Sequence, residues 1–430
     1  MTPPALLVRI GGIPAARISR DPGGTRLTYG ADYLAQPDAV PVSLSLPLRT
    51  QPHAGPLIET WLDGLLPDLP ADREQWRLLV GAASIDPFDL LSTPIGTECA
   101  GAVQFEPDGA TDAVDRPSAL ERVSEAELAV ALGELRDGTR PGGWRNDPLA
   151  SFSLAGTMPK LALRRCAGRW HKAAGDQPTS HILKPSVSLY PGQATGEHLG
   201  LATARRLGID AVRTEVGLIG GLETLIVQRF DRARPASGIA ALERIHQEDM
   251  CQALGLPAAL RFQRDGGPSA HDIAGLLRSH SSNAAADTIA LFKRLVYCWV
   301  IVANDAHGKN HALLHLPGGA CRLAPLYDVA SWLPYTDVPA RDVHLAMALG
   351  GGYDVGVGAR TDDWRAMAHE IGADPEWAVA EVMRIAREAP AHLLAEIDEL
   401  PPAVRSSGAP TRLLDAVARR SVDIVDATLG

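Results

Sequence analysis

A long apolar segment followed at once by a dense polar one constrains the fold of this chain more than any other feature. Residues 287–303 carry apolar side chains at helical spacing and on most sides, which predicts a central, buried helix. The sequence NDAHGKN follows at residues 304–310, and a second polar stretch, LYDV, comes at residues 326–329 after a short strand-like run. Together they predict a functional site at the carboxyl end of the buried helix.

The residue types in these two stretches suit phosphoryl transfer. Asp305 and Asn310 are five positions apart, the separation that kinase-type phosphotransferases use between a catalytic base and a metal-holding amide. In this reading Asp305 accepts the proton of the attacking hydroxyl, and Asn310 and Asp328 hold Mg²⁺ through oxygen atoms. Lys309 then offsets negative charge on the transferred group.

Two other interpretations of the same residues stay open. Asn304, Asp305 and Gly308 suit an ordinary turn after a helix, since Asn and Asp favour turns. His307 and His311 are four apart, and on a helix they would form a zinc pair of a hydrolase. Gly308 and the strand-like residues 312–314 disfavour a helix there.

Composition limits the class of protein. The 430 residues indicate two or three domains, and a net charge of −10 disfavours direct nucleic-acid binding. The five cysteines are widely spaced, which disfavours a disulfide framework or a structural zinc site and is typical of a reducing compartment. The amino terminus does not resemble a signal peptide, and the longest apolar run, at residues 295–303, is too short to span a bilayer. We expect a cytoplasmic protein with no membrane contact.

The order of the elements predicts an α+β fold with two lobes. Short strands are predicted within residues 5–48, including a half-buried strand at residues 43–48, and helices at 58–66 and 73–80. This first block ends near Phe105, and residues 106–117 mark its edge. A helix at 124–136 has a capping box, and strands are predicted at 161–164, 181–185 and 225–230. From residue 246 onward the pattern is mainly helical, which suits a strand-rich lobe followed by an α-rich lobe.

Three further stretches have the residue types of a nucleotide site. The loop at residues 154–160 contains Gly156 between strands, and its backbone N–H groups are suited to phosphate, although an ordinary hairpin would look the same. Lys184 ends a strand, as does the lysine that contacts nucleotide phosphates in kinases. Glu197 is expected to open the next helix, either paired with Lys184 or satisfying the helix dipole. Residues 228–232 lie at a strand end, where an adenine would meet backbone groups.

In combination, these motifs resemble the HipA family of bacterial serine/threonine kinase toxins. The matching stretches are PVSLSLPL at 41–48, LLPD at 65–68, PFDLL at 87–91, GAV at 101–103, the loop at 153–160, residues 181–185, RFDR at 229–232, QED at 247–249, residues 304–310 and residues 326–331. They cover most of the chain up to about residue 340.

The resemblance implies a kinase-like fold in three parts. Residues 1–108 would form a small α+β amino-terminal subdomain, residues 109–232 the lobe with the nucleotide loop, and residues 233–430 the α-rich lobe with the catalytic and metal-binding motifs. It also implies ATP and Mg²⁺ as cofactors and a toxin role in a type II toxin–antitoxin pair. The partner would be a HipB-like antitoxin, with DNA bound only through that complex, and the substrate an aminoacyl-tRNA synthetase such as glutamyl-tRNA synthetase.

The resemblance also assigns residue roles. It makes Asp305 the catalytic base, with Lys309 beside it, and Asn310 and Asp328 the Mg²⁺ ligands. Ser153 corresponds to the family's autophosphorylated serine, whose modification ejects the loop and switches the kinase off. The nucleotide site would comprise Ala155, Gly156, Thr157, Met158, Pro159, Lys160, Lys184, Gln228, Arg229, Phe230 and His307.

One departure concerns Met158-Pro159, where family members often have more polar residues. Pro159 removes a backbone donor from the loop, so its phosphate contacts should differ. The alternatives to a protein kinase are a catalytically weak co-repressor of kinase fold that acts through its DNA-binding antitoxin, and a small-molecule kinase.

Overall fold

The computed structural model describes residues 5–109, 119–138, 152–188, 190–234, 242–335, 343–349, 352–356 and 359–429. The strands are β1 Ala5–Ile10, β2 Ile13–Asp21, β3 Gly24–Tyr29, β4 His53–Ala54, β5 Val103–Pro107, β6 Ala119–Val123, β7 Leu161–Cys166, β8 Arg169–Ala174, β9 His181–Pro185, β10 Thr214–Ile219, β11 Leu222–Gln228, β12 Arg232–Ala233, β13 Glu243–Arg244, β14 Gln247–Asp249, β15 Ala312–His315, β16 Cys321–Leu323, β17 His344–Leu349 and β18 Gly352–Asp354. The helices are α1 Ala31–Leu34, α2 Pro56–Gly64, α3 Pro70–Val80, α4 Pro87–Leu91, α5 Glu125–Arg136, α6 Gln193–Arg206, α7 Met250–Leu254, α8 Ala270–His280, α9 Ala284–Val300, α10 Thr361–Ile371, α11 Pro375–Glu399, α12 Pro402–Arg405 and α13 Ala409–Leu429.

The chain divides into two compact units. The first comprises Met1–Pro185, Gln228–Ala259 and Leu314–Ala320, and the second Ser186–Val227, Leu260–Leu313 and Cys321–Gly430. The first unit holds most of the strands and the second most of the long helices, which confirms the predicted α+β class with an α-rich carboxyl-terminal part. Of the predicted domain edge at residues 106–117, residues 110–117 lie outside the described part of the chain.

In the first unit, five strands form an antiparallel sheet in the order β4-β3-β2-β1-β5. Along β3, exposed and buried residues alternate strictly, as expected of a strand with one face on a core. Leu6 pairs with Ile18 and Ile18 with Leu27, and all three side chains are fully buried. Because the side-chain period is two, this register places the apolar set on one face.

Four further strands of the first unit run antiparallel in the order β9-β7-β8-β6. Strand β8, which the sequence pattern did not predict, has a mostly half-buried face and joins β7 through a tight hairpin. Helix α5 begins after Ser124, whose hydroxyl accepts from Glu127 N while the Glu127 carboxylate accepts from Ser124 N. This confirms the predicted capping box.

In the second unit, α9 is the central buried helix that the sequence predicts. It runs three residues ahead of the predicted bounds because Asn283 caps it and its helical hydrogen bonds end near Ile301. Trp299 packs edge-to-face on Trp364, with ring centroids 5.0 Å apart, and Phe292 contacts Trp364 in the same way at 6.2 Å. Aromatic pairs of this geometry contribute to a well-defined core.

Two sequence-based predictions are wrong. The strand predicted at residues 43–48 is absent, and residues 43–46 form a tight turn instead, because Leu46 N donates to Ser43 O while Ser43 Oγ and Leu44 N both donate to the Glu248 carboxylate. Glu197 does not open a helix: α6 begins four residues earlier, at Gln193, and Glu197 is buried in its second turn. In the part of the chain that the structure describes, no helix is long and apolar enough to cross a membrane.

Candidate active site

A strained turn connects the carboxyl end of α9 to the polar residues 304–310. Val302 adopts a left-handed backbone with φ 51°, which is unusual for a β-branched residue. Val302 N donates to Trp299 O at 3.2 Å, and Ala303 N donates to Cys298 O at 2.7 Å, as in a Schellman cap that normally uses glycine. The strained residue lies three positions before Asp305. Backbone strain is often concentrated at functional sites.

Asp305 and Asn310 are brought together by a tight turn. Asn310 Nδ2 donates to the Asp305 carbonyl oxygen at 2.7 Å, and His307 N donates to the same oxygen at 2.8 Å. Because the nitrogen and oxygen of an amide leave Cγ in different directions, Asn310 Oδ1 is directed away from that carbonyl. The Asp305 side chain is 66% exposed, so its carboxylate is open to a substrate.

Asp328 is held in an uncommon conformation next to the same turn. Its φ is 56°, a left-handed value that few residues other than glycine, asparagine and aspartate adopt. The preceding Tyr327 donates its hydroxyl to Lys309 O at 2.6 Å, which ties the two polar stretches together. Leu326 is fixed on both sides, since its N donates to Asp210 O at 2.8 Å and its O accepts from Val212 N at 2.9 Å.

The segment after Asp328 is anchored to the end of α9. Ser331 donates its hydroxyl to Ile301 O at 2.5 Å, and Trp332 N donates to Val302 O at 2.9 Å. A β-carbon at Gly200 in α6 would lie 2.7 Å from Val329 O, so only glycine permits this approach. The backbone on both sides of Asp328 is therefore rigidly placed.

His307 is a neutral, buried group near the Asp305 carboxylate. Burial and the nearby Arg261 lower its pKa to about 4, although Asp328 acts in the opposite direction. The Phe262 ring meets it edge-on at 4.9 Å, and its Nε2 lies 3.7 Å from Asp305 Oδ1. At neutral pH the imidazole can therefore donate or accept a hydrogen bond without adding charge.

Residues 308–310 form a single 3₁₀ turn, so His307 and His311 do not lie one turn apart on an α-helix. Among the residues described, there is no group of three or more His, Cys, Asp or Glu side chains that could hold a metal ion.

The oxygen donors of the predicted site suit Mg²⁺ better than zinc. Asp305, Asn310 and Asp328 offer carboxylate and amide oxygens, which a hard cation such as Mg²⁺ prefers. Lys309, the residue before Asn310, is buried.

In the first unit, the predicted nucleotide loop is closed on itself. Gly156 has φ 108°, a value that only glycine adopts readily, and Lys160 Nζ donates to Ala155 O at 2.5 Å. The ammonium thus bridges the loop formed by Ala155, Gly156, Thr157, Met158, Pro159 and Lys160. Lys184 lies on the neighbouring strand, one residue after Leu183, which pairs with Leu161.

Ser153, at the start of this loop, is completely buried. Its hydroxyl donates to Leu65 O at 2.5 Å and its N donates to Glu98 O at 2.7 Å. In this conformation the hydroxyl is closed to any phosphoryl donor.

Of the predicted adenine-binding residues, Gln228 is exposed and Phe230 is half-buried. The Arg229 side chain is buried and bonded within the protein. Its guanidinium makes a two-pronged pair with Asp231 and a further bond to Glu98 Oε1 at 3.0 Å. The Arg229 backbone N also donates, to Ser180 O at 3.0 Å, so neither its guanidinium nor its N–H is available to a ligand. Sequence reasoning missed Glu98 because it lies 131 positions before Arg229.

Comparisons with known proteins identify both parts of the chain. A family model described as the HipA N-terminal domain matches residues 6–106, and one described as the HipA-like C-terminal domain matches residues 152–393.

Relatives and a solved structure agree with these matches. A Sinorhizobium fredii protein, named "Putative kinase Y4mE", is 32% identical over 360 residues, covering 81% of each chain. The Shewanella oneidensis protein named serine/threonine-protein kinase toxin HipA is 27% identical over 412 residues, covering 92% of this chain and 90% of its own length.

The solved structure of HipA from Shewanella oneidensis, in complex with HipB and its operator DNA, matches with a TM-score of 0.80 at 24% identity. The match covers 98% of this chain and 99% of the other. At this identity the likeness establishes the fold, which is that of a HipA-type kinase. With a carboxyl-terminal family model over more than half of its residues, an amino-terminal model before it and a relative above 30% identity, the chain belongs to the HipA family.

Proposed function

We propose that the protein is an ATP- and Mg²⁺-dependent serine/threonine kinase that acts on protein substrates. The observation that carries this proposal is the turn that joins Asp305 and Asn310 by a 2.7 Å hydrogen bond and ties Lys309 to Tyr327, the residue before Asp328. Phosphoryl transfer needs positioning and charge stabilisation more than covalent chemistry, and these side chains are of the required types.

In the proposed mechanism, the Asp305 carboxylate accepts a hydrogen bond from the substrate hydroxyl, orients it and takes its proton. His307, which we propose as part of the nucleotide site, lies 3.7 Å from Asp305 Oδ1, a distance too long for a hydrogen bond. Lys309 offsets negative charge on the group in transfer. Asn310 Oδ1 and the Asp328 carboxylate would hold Mg²⁺, which when bound neutralises charge on the phosphate oxygens.

The first unit would contribute the nucleotide contacts. Backbone N–H groups of residues 155–160 would face the phosphates, with Lys184 as a positive charge beside them, while Gln228, Arg229 and Phe230 would present backbone groups to the adenine. Pro159 has no N–H, so fewer donors are available in this loop than its length suggests.

The biological role that we propose is that of the toxin in a type II toxin–antitoxin pair. A small DNA-binding antitoxin similar to HipB would neutralise it, and DNA would be bound only through that partner. Support comes from the relative named HipA toxin and from the fold match to HipA in its complex with HipB and operator DNA. The substrate class that we propose is an aminoacyl-tRNA synthetase, such as glutamyl-tRNA synthetase, whose phosphorylation would arrest translation.

Label transfer from ATP tests the activity. The purified protein is incubated with γ-labelled ATP, Mg²⁺ and an extract from cells that lack it. Label on a protein band is the expected result. Label on a small molecule would indicate a small-molecule kinase, and no label would indicate a co-repressor that acts only by binding its partner.

A further inference from the structure

Five charged side chains form a buried cluster in the first unit. Glu98, Asp231, Arg229, Arg232 and Arg244 each expose no more than 8% of the side chain. Three positive and two negative charges at such depth are costly unless every one is paired. A cluster of this kind tolerates little displacement of any of its members.

Glu98 is the centre of the cluster. Its Oε1 accepts from Arg229 Nη1 at 3.0 Å and from Arg232 Nη2 at 2.9 Å, and its Oε2 accepts from Arg244 Nη2 at 2.7 Å. Thr179 adds two bonds to Oε1, one from its N at 3.0 Å and one from its hydroxyl at 2.7 Å. Burial alone would raise the pKa of Glu98, but the three arginines outweigh it and keep the pKa below its usual range.

The backbone beside Glu98 makes a second set of bonds. Glu98 O accepts from Ser153 N at 2.7 Å, and Cys99 O accepts from Arg229 Nη2 at 2.9 Å. The Glu98–Cys99 pair thus contacts three segments of the chain. These are Ser153, which begins the nucleotide loop; Thr179, two residues before the strand that carries Lys184; and Arg229, within the adenine-binding segment.

We propose that Glu98 is a positioning residue for nucleotide binding, because it fixes all three nucleotide-binding segments to one point. This inference rests on the proposed kinase function, since it concerns the same nucleotide site. Glu98 lies in the amino-terminal family domain, at residues 6–106, whereas the segments that it holds lie in the carboxyl-terminal family domain, at residues 152–393. Through Glu98, the amino-terminal domain would therefore contribute to nucleotide affinity.

The test compares Glu98→Gln and Thr179→Val with a matched control. Valine keeps the shape of threonine but removes the hydroxyl that donates to Glu98 and accepts from Arg229 Nη1 at 3.0 Å. Thr25→Val is the control, because Thr25 is equally buried, at 3%, and donates its hydroxyl to another carboxylate, that of Glu59, at 3.0 Å. All variants are assayed in the full-length chain at a temperature where each is folded by circular dichroism.

Two quantities are measured: the Kd of a fluorescent adenine nucleotide with Mg²⁺, and the KM for ATP and kcat of label transfer. We expect Thr179→Val to raise the Kd and KM about 5-fold and Glu98→Gln about 10-fold or more, with kcat changed less than about 2-fold, because binding rather than chemistry is affected. The control should lose some thermal stability and keep the wild-type Kd.

A folded Thr179→Val variant with wild-type Kd and KM would overturn the proposal, even if Glu98→Gln does not fold. A loss of kcat at unchanged KM would also overturn it. If the wild type binds the nucleotide and the variants bind it with the same Kd, this inference alone is refuted. If the wild type does not bind the nucleotide, the proposed function is refuted as well.

Discussion

At the scale of single residues, two left-handed backbone conformations lie at or near the proposed site, at Asp328 and at Val302. Asn310 Nδ2 donates to the backbone oxygen of Asp305, five positions earlier, whereas the catalytic and metal-binding roles of the two side chains stay predictions. The left-handed φ values of Val302 and Asp328 were not predictable, because nothing in the local sequence calls for glycine-like backbone there. The burial of the Arg229 side chain was also not predictable from the sequence, because its partner Glu98 is remote along the chain.

We predict that Asp305→Asn abolishes catalysis and leaves the fold intact. The side chain is 66% exposed, and the bond from Asn310 goes to the Asp305 backbone, which the substitution keeps. Loss of a general base should lower the rate of label transfer roughly 10²–10⁴-fold. Asp362→Asn, with a side chain that is 88% exposed, is the control and should retain full activity. Wild-type rates in Asp305→Asn would rule out this residue as the base.

Asp328 allows its chemical role to be separated from its backbone role. Asp328→Gly and Asp328→Ala should both abolish Mg²⁺-dependent activity, because neither offers a carboxylate. With φ at 56°, alanine should lower the free energy of unfolding by about 1 kcal/mol relative to glycine. Urea unfolding of the two variants measures this difference. Equal stabilities would show that the left-handed conformation is not retained.

At the scale of elements, patterns that depend on local periodicity were predictable, and those that depend on remote partners were not. The apolar period of α9 and the capping box of α5 are local signals, and both were confirmed. The turn at residues 43–46 failed as a strand prediction because Glu248, about 200 positions later, accepts its hydrogen bonds. A period-two pattern alone cannot reveal such a partner.

The loop that begins at Ser153 should respond to charge at that residue. Ser153 is fully buried and donates to Leu65 O, so Ser153→Ala should cost about 1 kcal/mol, lose self-labelling and keep the fold. Ser153→Asp places a carboxylate against a carbonyl oxygen in a dry site, which is strongly unfavourable. We expect this variant to release the loop, bind nucleotide weakly and be cut within residues 152–160 by limited proteolysis. Proteolysis and binding like those of the alanine variant would contradict this account.

At the scale of the whole molecule, the α+β class was predictable from the order of strand-like and helical patterns. Family resemblance added the kinase-like fold, which the structural match supports. The charged cluster around Glu98 could not be foreseen, because its members come from segments that the sequence separates by up to 146 positions. Long-range pairing of this kind becomes visible only in three dimensions.

Buried histidines should make the global stability depend on pH. Burial, then His315, lowers the pKa of His246 to about 3, and burial and Arg205 lower that of His198 to about 4. In the unfolded chain both titrate near pH 6.5, so below that pH the unfolded state binds more protons and is favoured. The free energy of unfolding should therefore fall as the pH is lowered from about 6.5 to about 4. Each histidine contributes at most about 1.4 kcal/mol to this fall for each pH unit.

Urea unfolding at pH 7.5, 6 and 5 measures this slope. His246→Gln should flatten it, because the substitution removes a group whose pKa is lower in the folded than in the unfolded chain. A slope in His246→Gln equal to that of the wild type would show that this histidine is not kept neutral by the fold.

We propose above all that this chain transfers the γ-phosphoryl group of ATP to hydroxyl groups of proteins. The most direct measurement is quantitative phosphoproteomics of cells that express either the wild type or Asp305→Asn without an antitoxin. We predict new phosphoserine or phosphothreonine sites in the wild-type sample alone, with an aminoacyl-tRNA synthetase among the modified proteins. Identical phosphoproteomes in the two samples, with both proteins folded and equally abundant, would contradict the account.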